Sequence, residues 1–181
     1  MKDSGKALLV IDVQNAVVDW SDATCDGDAV LGRIDELLSK ARAEGAPVIY
    51  VQHDGGEGSR LAAGTRGWEI HPRIAPREGE TVVHKRACDS FYETTLGDEL
   101  GRRGVGRLVI TGCRTQYCVD TTCRSAVGRG YDVTLAADAH TTMDEAIPAA
   151  QIVAHHNTLL DEFGNDRHQI TVKKTAEIDF V

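Results

Sequence analysis

A chain of 181 residues, 41% of them hydrophobic, can bury a substantial core, and the usual domain length of roughly 100 to 200 residues points to one domain over the whole chain. The net charge of -8 is spread along the sequence, with no cluster of Lys and Arg interleaved with aromatics, which argues against a nucleic-acid partner. No run approaches bilayer length, the apolar stretch Ala7 to Ile11 is too short for a signal peptide, and an odd count of five cysteines does not make a secreted disulfide framework; a cytoplasmic protein with free thiols and no membrane partner is expected.

Ala7 to Ile11 is continuously apolar, as in a strand buried on both faces of a parallel sheet, and Asp12 falls where it ends. From Ala29 to Glu44, Val30, Leu31, Ile34, Leu37, Leu38 and Ala41 recur at helical spacing, with Asp28 as the N-cap and Gly45 as the stop. Pro47 to Val51 reads as a second strand. The Gly-rich stretch from Gly55 to Gly67 is too polar and broken for a regular element and is a candidate functional loop.

Thr81 to His84, Leu108 to Ile110, Val133 to Ala136 and Ile170 to Val172 complete six predicted strands. Tyr117 to Val127 and Pro148 to Phe163 read as helices, the first ended by Gly128 and Gly130, the second with Pro148 in its first turn. Strands separated by helical segments call for right-handed crossovers: a three-layer α/β/α, doubly wound, Rossmann-like fold on a parallel sheet of about six strands.

In such folds ligands sit beyond the carboxyl ends of the strands, where Asp12, His53, Lys85 and the segment Gly112 to Cys118 fall. Cys118 is placed at or near the N-terminus of a helix, where unpaired N–H groups and the helix dipole stabilise a thiolate. Taken alone, a free cysteine is more often a small buried hydrophobe. An ammonium at Lys85 would favour the thiolate further, and Asp12 could take the thiol proton and hand it to a leaving amine. The bland alternatives are a surface lysine and an aspartate that caps a loop.

The combination is more specific than its parts. Ile11-Asp12-Val13-Gln14-Asn15, then Lys85 followed by Ser90-Phe91, Thr94 and Leu96, then Gly112, Thr115, Cys118-Val119, Thr122 and Ala126 together resemble the isochorismatase-like cysteine hydrolases, in order and over nearly the whole chain. The resemblance implies an Asp12, Lys85, Cys118 triad and a cis peptide joining Cys113 to Arg114. It also implies an oxyanion hole from the N–H groups of Arg114 and Cys118, a small-molecule substrate, no cofactor and a homo-oligomer. The activity it implies is hydrolysis of a small amide or related C–N bond through a thioester. The rival readings are vinyl-ether cleavage of the isochorismatase type, which needs no cysteine nucleophile, and a non-catalytic binding protein of the same fold.

Nicotinamidases of this superfamily hold a divalent metal with an Asp-x-His pair and a later His; Val51-Gln52-His53-Asp54 lacks that spacing, so no metal is expected at His53 and His71. His53, Trp68 and Tyr117 are the candidate substrate contacts, with packing the competing role for Trp68 and Tyr117. The remaining cysteines read as structural, His140, His155 and His156 show no metal-ligand spacing, and the acidic residues around Asp144 read as solvated surface.

Overall fold

The computed structural model describes residues 5–19 and 26–181, so Cys25 lies outside the described residues. Six strands, β1 (Gly5–Ile11), β2 (Val48–His53), β3 (Thr81–Lys85), β4 (Val105–Cys113), β5 (Asp132–Thr141) and β6 (Ile170–Lys173), form one sheet in the order β3-β2-β1-β4-β5-β6. Every pairing is parallel. The chain winds outward from β1 in one direction, returns to β4 beside β1, and winds outward in the other. The crevice at the carboxyl ends of β1 and β4 is thus the topological switch point where doubly wound sheets take their ligands.

The helices are α1 (Asn15–Val18), α2 (Gly27–Ala43), α3 (Leu96–Arg102), α4 (Asp120–Gly128) and α5 (Ala149–Leu160). Ile34, Leu37, Leu38 and Ala41 of α2 pack on Leu8, Val10, Val48 and Tyr50 to make the core of one face. Leu96 and Leu100 of α3, with Cys123, Ala126 and Val127 of α4, pack on Leu9, Ile11, Ile110 and Leu135 on the other. Adjacent strand residues therefore feed opposite cores, which is why the strand runs are apolar throughout.

Several boundaries differ from the sequence reading. β2 runs on to His53 and β3 to Lys85, so both side chains are held by the sheet itself. β4 and β5 are longer at both ends, and α5 is shorter, with Pro148 as its N-cap. Asp28 does not cap α2: Asp26 occupies the N-cap position at φ 56 without a side-chain cap, while Asp28 lies in the first turn and pairs with Arg73 at 2.7 Å. Gly45, at φ 68, does end that helix. The short α1 and α3 lack an apolar repeat long enough to announce them. Among the described residues no helix is long and apolar enough to cross a membrane.

Candidate active site

Three strand ends build the site. Asp12 follows β1 with φ at 51, a left-handed conformation that Asp adopts more readily than most side chains, and its N–H donates to Val51 O at 2.9 Å. Lys85 ends β3, two strands away from β1, and its Nζ reaches the switch point. Its Nζ lies 2.6 Å from Asp12 Oδ2 and donates to Cys118 Sγ at 3.1 Å and Ala87 O at 2.9 Å.

Cys118 is carried by a single π-helical turn, Thr115–Val119, between β4 and α4. Such turns recur at functional sites because they break the regular register of a helix. Cys113 and Arg114 are joined by a cis peptide bond, as the family resemblance implies. Behind the turn, buried His140 bridges Thr115 Oγ1 and Asn157 Oδ1, each at 2.9 Å, and Asn157 donates to Ala137 O. Burial pushes the His140 imidazole down to about 4, so this strut is uncharged at neutral pH. The motif residues Ser90 and Thr122 join the loop after β3 to α4 through a buried 2.8 Å hydroxyl contact, fixing Lys85 relative to Cys118.

The electrostatics depart from an ionised resting thiolate. Burial pushes the Cys118 thiol up, and the Asp12 charge adds to this, outweighing the opposing pull of Lys85. Burial likewise raises Asp12 above its ordinary value, with Lys85 pulling back. For Lys85, burial alone would lower the pKa, but the neighbouring Asp12 and Cys118 reverse the sign. The resting arrangement is a charged Asp12–Lys85 pair beside a protonated thiol. Asp12 Oδ1 is buried and has no hydrogen-bond partner among the described residues, which leaves it open to accept a proton.

A cavity of about 460 Å³ opens above these groups. Asp12, His53, Cys113 and Arg114 come from the strand ends, Cys118 from the π-helical turn, and Ala16 and Val17 from α1. Ser59, Arg60 and Leu61 come from the Gly-rich stretch, which thus supplies a wall. Tyr117, 45% exposed, stands at the border. The guanidinium of Arg114 reaches Met143 Sδ.

Trp68 does not line the cavity. Its indole N–H donates to Asp54 Oδ1 at 2.7 Å, its ring stacks on His84, and its carbonyl accepts from Gln14 and Gln52; it packs the loop against the sheet. His71 is tied into structure, with Nε2 3.2 Å from Asp19 Oδ1 and Nδ1 accepting from Arg73 N. Asp144 is more than solvated surface, since its Oδ1 accepts from Ala149 N at the start of α5. Cys113 and Cys123 are buried, as structural cysteines should be, but Cys88 is exposed and borders the cavity. No spacing in the sequence singles out Cys88, and the α1 wall was unreadable because a four-residue helix has no period. Among the described residues no group of three His, Cys, Asp or Glu side chains could hold a metal.

The isochorismatase domain model matches residues 6–163. A streptothricin hydrolase of Streptomyces noursei is 46% identical over 145 residues, 80% of this chain and 57% of its own length. The chain therefore spans little more than half of that relative. The ureidoacrylate amidohydrolase RutB of Methylobacterium radiotolerans is 31% identical over 168 residues, 73% of this chain and 65% of that one. The crystal structure of an isochorismatase from Pseudomonas putida KT2440 superposes with a TM-score of 0.88 at 31% identity, covering 96% of this chain and 90% of that one. With the parallel sheet, the strand-end constellation and the matched domain in agreement, the chain belongs to the isochorismatase family.

Proposed function

We propose that the protein is a cysteine hydrolase that cleaves a small amide or related C–N bond, with Cys118 as nucleophile, Asp12 as general base and acid, and Lys85 as the cation that holds both. The observation that carries this reading is the contact of one buried Lys85 Nζ with Asp12 at 2.6 Å and Cys118 at 3.1 Å on the floor of a cavity. Relatives named as a streptothricin hydrolase and an amidohydrolase support it.

Asp12 Oδ1 takes the thiol proton, and the thiolate attacks the substrate carbonyl carbon. The negative charge has then moved from Asp12 to the sulfur, and Lys85, in contact with both groups, offsets it where burial disfavours it. The N–H groups of Arg114 and Cys118 hold the oxyanion, a role worth roughly 3 to 4 kcal/mol per donor in comparable sites. As the C–N bond breaks, Asp12 returns the proton to the leaving nitrogen. Water then loses a proton to the same carboxylate, attacks the thioester and releases the acid, and Cys118 leaves as a thiolate that regains the proton from Asp12. The reading extends to a cytoplasmic homo-oligomer acting on a freely diffusing small molecule; the free thiols of Cys88, Cys113, Cys118 and Cys123 suit a reducing compartment.

The test is ammonia release from a panel of small primary amides and N-carbamoyl compounds, comparing wild type with Cys118→Ala. Turnover lost in the variant is expected. Turnover that survives it would remove Cys118 from the mechanism, and pyruvate release from isochorismate without amide turnover would replace the reading with vinyl-ether cleavage.

A further inference from the structure

We propose that His53 is a substrate-binding hydrogen-bond donor, held as the neutral Nε2–H tautomer by the ammonium of Lys85, so that this site selects substrates presenting an acceptor atom beside the scissile bond. The inference rests on the hydrolase reading for the identity of the ligand but not for the state of the imidazole.

His53 is the last residue of β2, paired in register with Lys85, and it borders the cavity. Its Nδ1 lies 3.4 Å from Lys85 Nζ. The three ammonium hydrogens have nearer acceptors in Asp12, Ala87 O and Cys118, so the long contact matters through charge. A ring nitrogen facing an ammonium must turn a lone pair toward it, since an N–H there would set two positive ends together. The one hydrogen of a neutral imidazole is then left on Nε2, on the opposite side of the ring. Among the described residues no protein group accepts from that nitrogen, and the cavity is the space it borders.

Burial, with the neighbouring ammonium, favours the neutral ring. Burial lowers the imidazole pKa and Lys85 lowers it further, while Asp12 and Asp54 pull in the opposite direction without prevailing. Asp54 Oδ1 accepts from Trp68 Nε1 and lies 3.1 Å from His84 Nδ1. Gln14, fully buried, fixes the backbone: its Oε1 accepts from His53 N at 2.9 Å and its Nε2 donates to His53 O at 3.0 Å. Gln14 is thus a positioning residue for the donor. The cavity that His53 borders is lined by the apolar Ala16, Val17 and Leu61 and by the polar side chains of Ser59, Arg60, Arg114 and Tyr117. A donor whose backbone is fixed in this way, in a pocket with partly apolar walls, is an arrangement that discriminates by hydrogen bonding.

Two measurements test this independently of turnover. Long-range nitrogen–proton correlation spectra of histidine-labelled wild-type protein at pH 7 should show His53 neutral with its hydrogen on Nε2. The Asp12→Asn/Lys85→Met double variant, which strands no charge, should lose that preference. A protonated ring or the Nδ1–H form in the wild type would overturn the proposal. In a Cys88→Ser background, alkylation of Cys118 by iodoacetamide, whose carbonyl offers an acceptor, should fall about three- to tenfold in His53→Leu, recover in His53→Gln, and exceed any change with iodoethane, which has no carbonyl. Equal slowing with both reagents would mean that His53 only shapes the site. Selective slowing together with no hydrolysis of any amide would keep the donor and dismiss the hydrolase reading.

Discussion

Lys85 Nζ lies 2.6 Å from Asp12 Oδ2 with side-chain exposures of 0% and 5%, a buried ion pair that is also the bridge to the thiol. Removing one partner strands the other charge, which costs about 3 to 5 kcal/mol in comparable buried pairs. Lys85→Met is expected to lose that much stability in urea denaturation, and Asp12→Asn/Lys85→Met to recover part of it without recovering activity. A single variant within about 1 kcal/mol of wild type would show that the pair is not energetically coupled. Asp12→Asn should also lower kcat by about 10² to 10⁴, the usual range for loss of a general base.

The pH profile should carry the Asp12 signature. Burial raises its pKa above the ordinary 3.8, and only the ionised form accepts the thiol proton. Activity should therefore fall as pH drops through a value higher than 3.8. Because Asp12, Lys85 and Cys118 interact, that limb reports the group and not one residue. An acidic limb at or below the ordinary carboxylate value, measured as kcat/KM against pH on the best amide, would sink the assignment.

Thiol labelling should follow exposure. Cys88 is exposed, Cys118 half-buried, and Cys113 and Cys123 buried. Limited iodoacetamide treatment read by peptide mass should modify Cys88 and Cys118 in the native protein and reach Cys113 and Cys123 only on unfolding. Activity should survive labelling of Cys88 by a small reagent better than labelling of Cys118. Native-state modification of Cys123 ahead of Cys88 would contradict the packing of α4.

Acid should loosen the strut behind the nucleophile turn. Burial lowers His140 to about 4 in the folded chain against 6.5 for an unburied imidazole, so between those values the unfolded chain binds the extra proton. Stability is complete above the unfolded pKa and is lost as pH falls toward the folded one, by about 3 kcal/mol over the window. Urea midpoints from pH 7 to 4.5 should decline more steeply for wild type than for His140→Gln. Parallel declines would place the acid sensitivity elsewhere.

Gly112 leaves no room for a side chain. It pairs with Ile11 across the switch point, its φ is 125, and a Cβ there would meet Ile11 O at 2.1 Å. Gly112→Ala combines a backbone clash with a conformation that alanine resists, so a loss of about 3 kcal/mol or more and a displaced Arg114 turn are expected. Thermal unfolding and activity of the variant check this; near-native behaviour in both would show that the β1–β4 seam can yield.

Much of this protein is determined by local sequence. Apolar runs ending at Asp12, near Lys85 and before Gly112 announce buried parallel strands with reactive side chains at their carboxyl ends. The repeat of Val30 through Ala41 announces α2, because burial on one face forces a period that composition records. The motifs around Asp12, Lys85 and Cys118 carry the family, since their residue types are tied to one site. What the sequence could not decide depends on distances between segments far apart in the chain. The strand order that sets β1 beside β4 brings Asp12 to Cys118, and the reach of Lys85 from β3, two strands from β1, turns two strand ends into an ion pair. Burial then fixes the protonation of the thiol and of His53, turns Trp68 away from the cavity and leaves Cys88 beside it. Those outcomes follow from desolvation and packing, which arise only when the folded chain closes over the site.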